Sequence, residues 1–125
     1  MKVCRFDELE SFQTPEGVMT PIFAYDKAAV TNLKIPAGLQ VRPHSHEGDG
    51  ILILTRGAIT LVGESTVVLR GGDLAFIPGG TEVGLESNED SEAIILSVPS
   101  RYSSVDEFRE RLRSLFSSCS GNMVQ

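Results

Sequence analysis

The sequence predicts an all-β domain, an antiparallel barrel or sandwich, followed by one C-terminal α-helix. Between residues 17 and 98, short apolar runs alternate with Gly, Pro, Asn and Asp, which separate strands more often than they interrupt helices. After residue 103 the apolar residues recur at helical spacing. Many short strands at close, even spacing favour a barrel or sandwich over units in which each strand is followed by a helix.

The length and charge of the chain narrow the function classes. A chain of 125 residues matches one ordinary domain and can bury a single core. The formal net charge of −6 argues against nucleic acid or an anionic membrane as a partner. The N-terminus carries charges where a secretory leader needs an apolar run, and no stretch approaches the roughly 20 apolar residues of a membrane span. We expect a soluble cytoplasmic protein.

Nine strands are predicted from the apolar runs. They cover residues 18–24, 28–35, 39–44, 51–55, 58–62, 65–69, 73–77, 82–85 and 93–98. Gly63-Glu64 between two of these runs is typical of a tight hairpin, and Arg70-Gly71-Gly72-Asp73 is typical of the next turn. Consecutive strands are therefore expected to pair antiparallel.

Four regions follow from this division. They are an N-terminal arm (1–16), a barrel (17–100), a helix packed on the barrel (103–117) and a tail (118–125). In the arm, apolar residues at three-residue spacing predict a short helix or a segment laid on a neighbouring molecule. The two cysteines, Cys4 and Cys119, lie near opposite ends without metal-binding spacing, so both are expected to be free thiols.

The C-terminal helix is predicted to be amphipathic. Its apolar stripe consists of Val105, Phe108, Leu112, Leu115 and Phe116, and charged residues fill the other face. Ser104 and Glu107 have the spacing of a capping box, in which each side chain bonds the backbone near the other. We expect the stripe to pack on the outside of the barrel, and a contact between subunits is the alternative.

His44 and His46 are the only histidines, and they are two residues apart on a predicted strand. Side chains alternate between the two faces of a strand, so both imidazoles should project to the same side. Such a pair can hold a divalent metal ion or bind an acidic ligand. The alternative is that they are hydrogen-bonded polar residues inside a barrel, or that one of them faces solvent at its mouth.

The spacing around this pair resembles the first sequence motif of the cupin superfamily. That motif has a glycine, five residues, His-x-His, three or four further residues, a glutamate, six residues and a second glycine. Gly38, His44, His46 and Gly57 stand in register with it, whereas Gly50 occupies the glutamate position.

The second cupin motif is matched in part as well. Gly72, Pro78 and Gly80 agree with it, whereas Val83 stands at its histidine and Ser87 at its asparagine. The resemblance spans about residues 28–98 and implies an antiparallel jelly-roll barrel. The matching glycines and proline also suit turns that need an unusual or fixed φ, so they indicate the barrel more than a ligand.

The resemblance implies a divalent metal ion, such as Fe, Mn, Zn or Ni, held by two histidines, a glutamate and a last histidine. This chain keeps only the first pair. Asp49 is the candidate to replace the glutamate, with Glu47 as a second choice, because flanking glycines let the loop turn inward. Both acids are otherwise ordinary solvated loop residues.

Strand alternation also predicts neighbours for the histidines. Gln40 and Arg42 should share their face, giving the pocket one polar wall. An inward arginine would bind the carboxylate of a small ligand, and an arginine facing solvent is the alternative. The remaining inward residues are expected to be Leu52, Leu54, Thr81, Val83 and Leu85.

Three functions fit these expectations. The first is a metal-dependent dioxygenase, isomerase or lyase that acts on a small, carboxylate-bearing molecule. The second is a non-catalytic cupin that binds or senses a small ligand at a degenerate metal site, and the third is a structural barrel that dimerises. Small cupins are usually homodimers, so the resemblance implies that this chain forms one too.

Overall fold

A computed structural model describes residues 1–116 of the chain and divides them into ten strands and two helical segments. In chain order these are a 3₁₀ helix (Phe6–Glu8), β1 (Phe12–Thr14), β2 (Gly17–Tyr25), β3 (Ala28–Ile35), β4 (Gln40–His44), β5 (Asp49–Arg56), β6 (Ala58–Val62), β7 (Thr66–Arg70), β8 (Leu74–Ile77), β9 (Val83–Ser87), β10 (Ser91–Val98) and α1 (Val105–Leu115). All nine predicted strands are present, with ends that differ by at most two residues.

The strands form two antiparallel sheets. The larger has the order β1-β2-β3-β10-β5-β8, and the smaller has the order β4-β9-β6-β7. Side chains from the facing surfaces of both sheets make one core, because apolar residues alternate along each strand and point to the same side. This core contains Leu33, Ile35, Leu52, Leu54, Ile59, Leu61, Leu69 and Ala93. The all-β jelly roll with one C-terminal helix is thus confirmed.

The N-terminal region contributes to the same domain. Residues 12–14, predicted to lie in an arm, form β1 and pair with β2. Phe12 is fully buried against Ala24, Ala29 and Phe108 of its own chain. The alternative of an arm laid on a neighbouring molecule therefore does not apply to Phe12, which finds its apolar partners within the fold.

Helix α1 begins with the predicted cap. The Ser104 hydroxyl accepts a hydrogen bond from the Glu107 amide at 3.1 Å. The Glu107 carboxylate reaches back one residue further than in a capping box and accepts bonds from the amide and hydroxyl of Ser103, both at 2.8 Å. These bonds satisfy backbone donors that the first turn leaves unpaired.

The position of α1 differs from the expectation. Phe108 and Leu112 pack against Ala24 and Ala29, which face each other across β2 and β3. Ala29 shares its strand face with Leu33, so α1 covers the inner face of the larger sheet and not the outside of the barrel. The two alanines leave room on that face for the larger side chains of the helix.

The motif glycine Gly57 has a structural role in the turn between β5 and β6. Its φ is +88°, a region that side-chain-bearing residues rarely adopt. A Cβ there would also lie only 2.7 Å from the Asp90 carbonyl oxygen and 2.8 Å from Ser91 Cα. The backbone of this turn therefore requires the motif glycine, and the match at this position is evidence for the fold and not for a ligand.

Cys4 is a free, partly buried thiol. Cys119, the predicted tail and the last predicted residue of the helix lie outside the described residues. Neither helical segment in residues 1–116 has the length and hydropathy needed to cross a membrane.

Candidate functional site

A cavity of about 380 Å³ lies between the two sheets and extends beneath α1. Its walls are largely aliphatic and include Met19, Leu33, Leu52, Leu61, Ile77, Val83, Leu85 and Ile95. Both predicted histidines line it, together with polar side chains from several other elements: Glu16, Thr31, Asp49, Thr81, Ser97, Arg101, Tyr102 and Arg111. An apolar cavity with a few polar groups at its exposed parts is the usual form of a small-molecule site.

A β-bulge in β4 decides which of its residues reach the cavity. Val41 pairs with Leu85 and His44 pairs with Val83, so Arg42 and Pro43 together oppose Gly84 alone. The Pro43 nitrogen carries no hydrogen and would leave a gap in a regular ladder, which suits a bulge. Val41 and His44 consequently both face the cavity although they are three residues apart.

Gly84 makes the bulge possible. A Cβ at this position would lie 2.8 Å from the Pro43 nitrogen and inside van der Waals contact of the Val41 carbonyl oxygen. The residue is buried, so the bulged strand passes directly over its Cα. Only glycine leaves space for that approach.

The bulge overturns one expectation. Gln40 and Arg42 are exposed, and neither lines the cavity, because the extra residue breaks the alternation that would have placed them beside the histidines. The Arg42 carbonyl oxygen, in contrast, accepts a hydrogen bond from His44 Nδ1 at 2.9 Å. The backbone of Arg42 therefore contributes to the site, and its guanidinium does not.

The two imidazoles stand edge to face, with ring centroids 4.9 Å apart and planes at 81°. Because a carbonyl oxygen only accepts, the bond to Arg42 requires a proton on Nδ1 of His44. In the neutral ring Nε2 is then unprotonated and can accept a hydrogen bond or ligate a metal ion. This nitrogen lies 3.7 Å from Glu16 Oε2, an ion pair when the ring is protonated.

Glu16 reaches the histidines from the turn between β1 and β2. The Thr14 hydroxyl fixes this turn, because it accepts a bond from the Glu16 amide at 3.1 Å and donates one to the Gly17 carbonyl at 2.9 Å. The sequence analysis missed Glu16. Thr14-Pro15-Glu16-Gly17 reads as a turn, but only the pairing of β1 with β2 brings the turn to the cavity.

Asp49 lines the cavity, and Glu47 does not. Asp49 Oδ1 accepts a hydrogen bond from the Gly79 amide at 2.8 Å, which ties the start of β5 to the turn after β8. Its second carboxylate oxygen has no such bond among residues 1–116. One oxygen of the Asp49 carboxylate is therefore used to hold these two segments together at the cavity that the histidines also line.

The side chains on the cavity lining do not form a complete metal site. Gly50 and Val83 occupy the motif positions of the other two ligands, and both line the cavity, Val83 opposite His44 in the neighbouring strand. Neither can bind a metal ion through its side chain. Within residues 1–116 no three His, Cys, Asp or Glu side chains lie close enough together to hold one ion, whereas stable sites use three or four.

Two arginines and a tyrosine line the cavity from the segment after the barrel. Arg101 and Tyr102 precede α1, and Arg111 lies within it. The Tyr102 ring stacks on Phe108 with centroids 4.5 Å apart. Sequence reasoning missed all three, because their access to the cavity depends on α1 covering the inner sheet face.

The two-sheet antiparallel sandwich with a cavity between its sheets is a jelly roll. Residues 32–99 match the family model described as "Cupin domain". This chain belongs to the cupin family. No curated protein sequence matches it.

Several solved structures resemble the chain. The structure of KdgF from Halomonas sp. is 26% identical, with a TM-score of 0.73 over 80% of this chain and 96% of that one. The polyketide cyclase RemF from Streptomyces resistomycificus is 17% identical, with a TM-score of 0.72 over 83% of each chain. A predicted oxalate decarboxylase from Thermotoga maritima is 22% identical, with a TM-score of 0.67 over 79% of this chain and all (100%) of that one. The names differ in activity, so the shared fold does not select a reaction.

Proposed function

We propose that this cupin binds a small organic acid in the cavity between its sheets. The observation that carries the proposal is the aliphatic cavity with basic side chains, His44, His46, Arg101 and Arg111, on its lining. The aliphatic walls favour transfer of a ligand from water, and the basic groups favour a negative charge on it. This corresponds to the binding or sensing function expected from the sequence, except that Arg101 and Arg111 take the place expected for Arg42.

His44 and His46 are suited to orient the ligand. His44 donates to the Arg42 carbonyl through Nδ1, which fixes the ring and leaves Nε2 directed toward Glu16. A ligand hydroxyl could donate to this nitrogen, or a carboxylate could bind the protonated ring. Polar groups of this kind set the orientation of a ligand whose main contacts are apolar.

A divalent metal ion at His44 and His46 is the second candidate, and with it an enzymatic reaction. The observation that favours it is the unprotonated Nε2 of neutral His44. Asp49 or Glu16 would have to turn toward the histidines to supply a carboxylate, and water would complete the ligand set.

Thermal unfolding with and without small carboxylates separates the two candidates. We expect a panel of organic acids to raise the melting temperature of chelator-treated wild type, because a ligand that binds only the folded state stabilises it. The purified protein should contain little metal, and His44→Ala should not change that amount. Ser45→Ala, an exposed neighbour, is the matched control.

About one equivalent of metal in wild type that disappears in His44→Ala would instead support the metal-dependent candidate. A melting temperature that no carboxylate raises, in protein with or without added metal, would refute the proposal that the cavity binds an organic acid.

A further inference from the structure

We infer that Arg101 and Arg111 together form the carboxylate-binding end of the cavity and that the rest of the ligand is apolar. The ligand class is therefore an aliphatic or aromatic carboxylic acid whose body carries few hydroxyl groups. The inference rests on the proposed function, that the cavity binds an organic acid. It adds which residues bind the carboxylate of that acid and states that the remainder of the acid is apolar.

The pairing of the arginines near α1 supports this assignment. Arg109 pairs with Asp106 at 3.0 Å, and Arg113 pairs with Glu110 and Glu10. Neither of these paired arginines lines the cavity. Arg101 and Arg111 are exposed and do line it, and within residues 1–116 neither forms an ion pair with an acidic side chain.

Within residues 1–116, Arg5, Arg42 and Arg70 also form no ion pair, so the lack of a partner singles out Arg101 and Arg111 only together with their place on the cavity lining. The chain has seventeen acidic and eleven basic residues, so carboxylates are abundant enough to pair with every arginine. The two guanidinium groups on the cavity are nevertheless left available, although α1 carries acids that pair with its other arginines. Guanidinium groups bind carboxylates strongly and with defined geometry, so the missing partner fits an anionic ligand.

Each arginine is next in sequence to a residue that packs against Phe108 or beside it on α1. Arg111 lies three residues after Phe108 and next to Leu112, the two residues that fix α1 to the inner sheet face. Arg101 is adjacent to Tyr102, whose ring stacks on Phe108 and whose amide donates to the Ser100 hydroxyl at 3.0 Å. The aliphatic stems of both arginines can lie along this apolar surface while their charged ends face the ligand.

The body of the ligand is inferred from the rest of the lining, in which aliphatic side chains outnumber hydroxyl-bearing ones such as Thr31, Thr81 and Ser97. Leu33, Leu52, Leu61 and Ile95 come from four different strands and offer no hydrogen-bonding side-chain atom. Ligand hydroxyl groups buried against them would lose their bonds to water without replacement. The volume of about 380 Å³ suits a medium-chain or single-ring acid.

Calorimetric titration of the full chain with octanoate and its neutral analogue octanamide tests the inference. Wild type should bind one octanoate per chain, about tenfold more tightly than octanamide, because only the acid forms charge-assisted bonds. Arg101→Gln and Arg111→Gln should each weaken octanoate binding about fivefold and leave octanamide binding unchanged.

Arg109→Gln is the matched control, since Arg109 lies on the same helix but is paired and away from the cavity. It should bind octanoate as wild type does. Unchanged melting temperatures in all three variants would confirm that each is folded.

The outcomes separate this inference from the function on which it rests. If octanoate binds but neither arginine substitution weakens it, the assignment of the arginines is wrong and the cavity still binds an organic acid. Tighter binding of gluconate than of octanoate would refute only the statement that the remainder of the ligand is apolar. If neither octanoate nor gluconate binds, the proposed function fails and this inference fails with it.

Discussion

Two single residues, Gly50 and Val83, explain why a cupin cavity with its first histidine pair intact lacks a complete metal site. Both occupy motif positions for ligands, and both line the cavity. Val83 pairs directly with His44. Two of the four motif positions for ligands thus line the cavity without a side chain that can bind a metal ion.

Restoring those side chains should therefore create metal binding. Gly50 has space for a side chain, since the nearest atom to an added Cβ is the Ile77 carbonyl oxygen at 4.0 Å. We expect the double variant Gly50→Glu and Val83→His to bind about one equivalent of Zn²⁺ or Ni²⁺, with a higher melting temperature in the presence of metal. Metal analysis and thermal unfolding measure this, and adding His44→Ala should abolish the gain. A folded double variant that binds no more metal than wild type would contradict the prediction.

A second prediction concerns Gly84, because the bulge that turns His44 toward the cavity requires glycine at this position. Gly84→Ala should destabilise the protein by about 2–3 kcal/mol, since the added methyl group collides with the backbone of β4. Chemical denaturation measures the loss. Gly50→Ala is the control and should change the free energy of unfolding by less than about 1 kcal/mol. Equal effects of the two substitutions would show that the bulge does not depend on Gly84.

The bulge also marks the limit of sequence reasoning at this scale. Alternation predicted that the two histidines share a face, and both line the cavity. Alternation failed for Gln40 and Arg42, because Pro43 interrupts the ladder between them and the histidine pair. The proline was visible in the sequence, but the effect of the bulge depends on Gly84, forty residues away in a neighbouring strand.

At the scale of elements, some features of α1 could be predicted from the sequence and others could not. Its apolar stripe and N-cap could be read from the sequence, because both depend on residues within one helix. The sheet face that it covers could not be read in this way. That choice depends on Ala24 and Ala29, whose small size and facing register only the pairing of β2 with β3 reveals.

The start of α1 should respond to pH. Hydrogen bonds from the Ser103 amide and hydroxyl lower the pKa of Glu107 below its ordinary value of 4.5. A carboxyl group with a lowered pKa in the folded state stabilises that state above the unfolded pKa, and the stabilisation is lost as the pH falls through the folded value. We therefore expect wild type to exceed Glu107→Gln in melting temperature at pH 7 and the difference to shrink between about pH 5 and pH 3.

Thermal unfolding across this pH range provides the measurement. Glu82→Gln, a substitution at an exposed acid outside α1, should show no comparable pH-dependent difference. A difference for Glu107→Gln that stays constant down to pH 3 would mean that its carboxylate does not act through these bonds.

At the scale of the whole molecule, the outer face of the larger sheet carries an apolar patch, bordered by Lys34 and Glu92. Leu74 and Phe76 of β8 are 56% and 58% exposed, and Ile53, Ile94 and Leu96 continue the surface across β5 and β10. A chain with a net charge of −6 repels its own copies, so an apolar patch is where two copies can approach. We expect that two copies associate as a homodimer through this face.

Light scattering after gel filtration tests that expectation. Wild type should have the mass of two chains, and Phe76→Glu should shift the protein toward one chain, because the substitution buries charges at the interface. Val68→Glu, at an exposed valine of the smaller sheet, should leave the mass unchanged. A monomeric wild type, or a dimer that survives Phe76→Glu, would argue against this face.

The position of α1 has a further consequence for the energetics of the molecule. The helix closes one side of the cavity and at the same time buries Phe12 and the alanines of β2 and β3. Ligand occupancy and helix docking are therefore thermodynamically linked, since any ligand held against α1 adds its binding free energy to the cost of undocking the helix. Backbone amides of α1 should then exchange their hydrogens more slowly when the cavity is filled, so hydrogen exchange in the helix would reveal occupancy of the cavity.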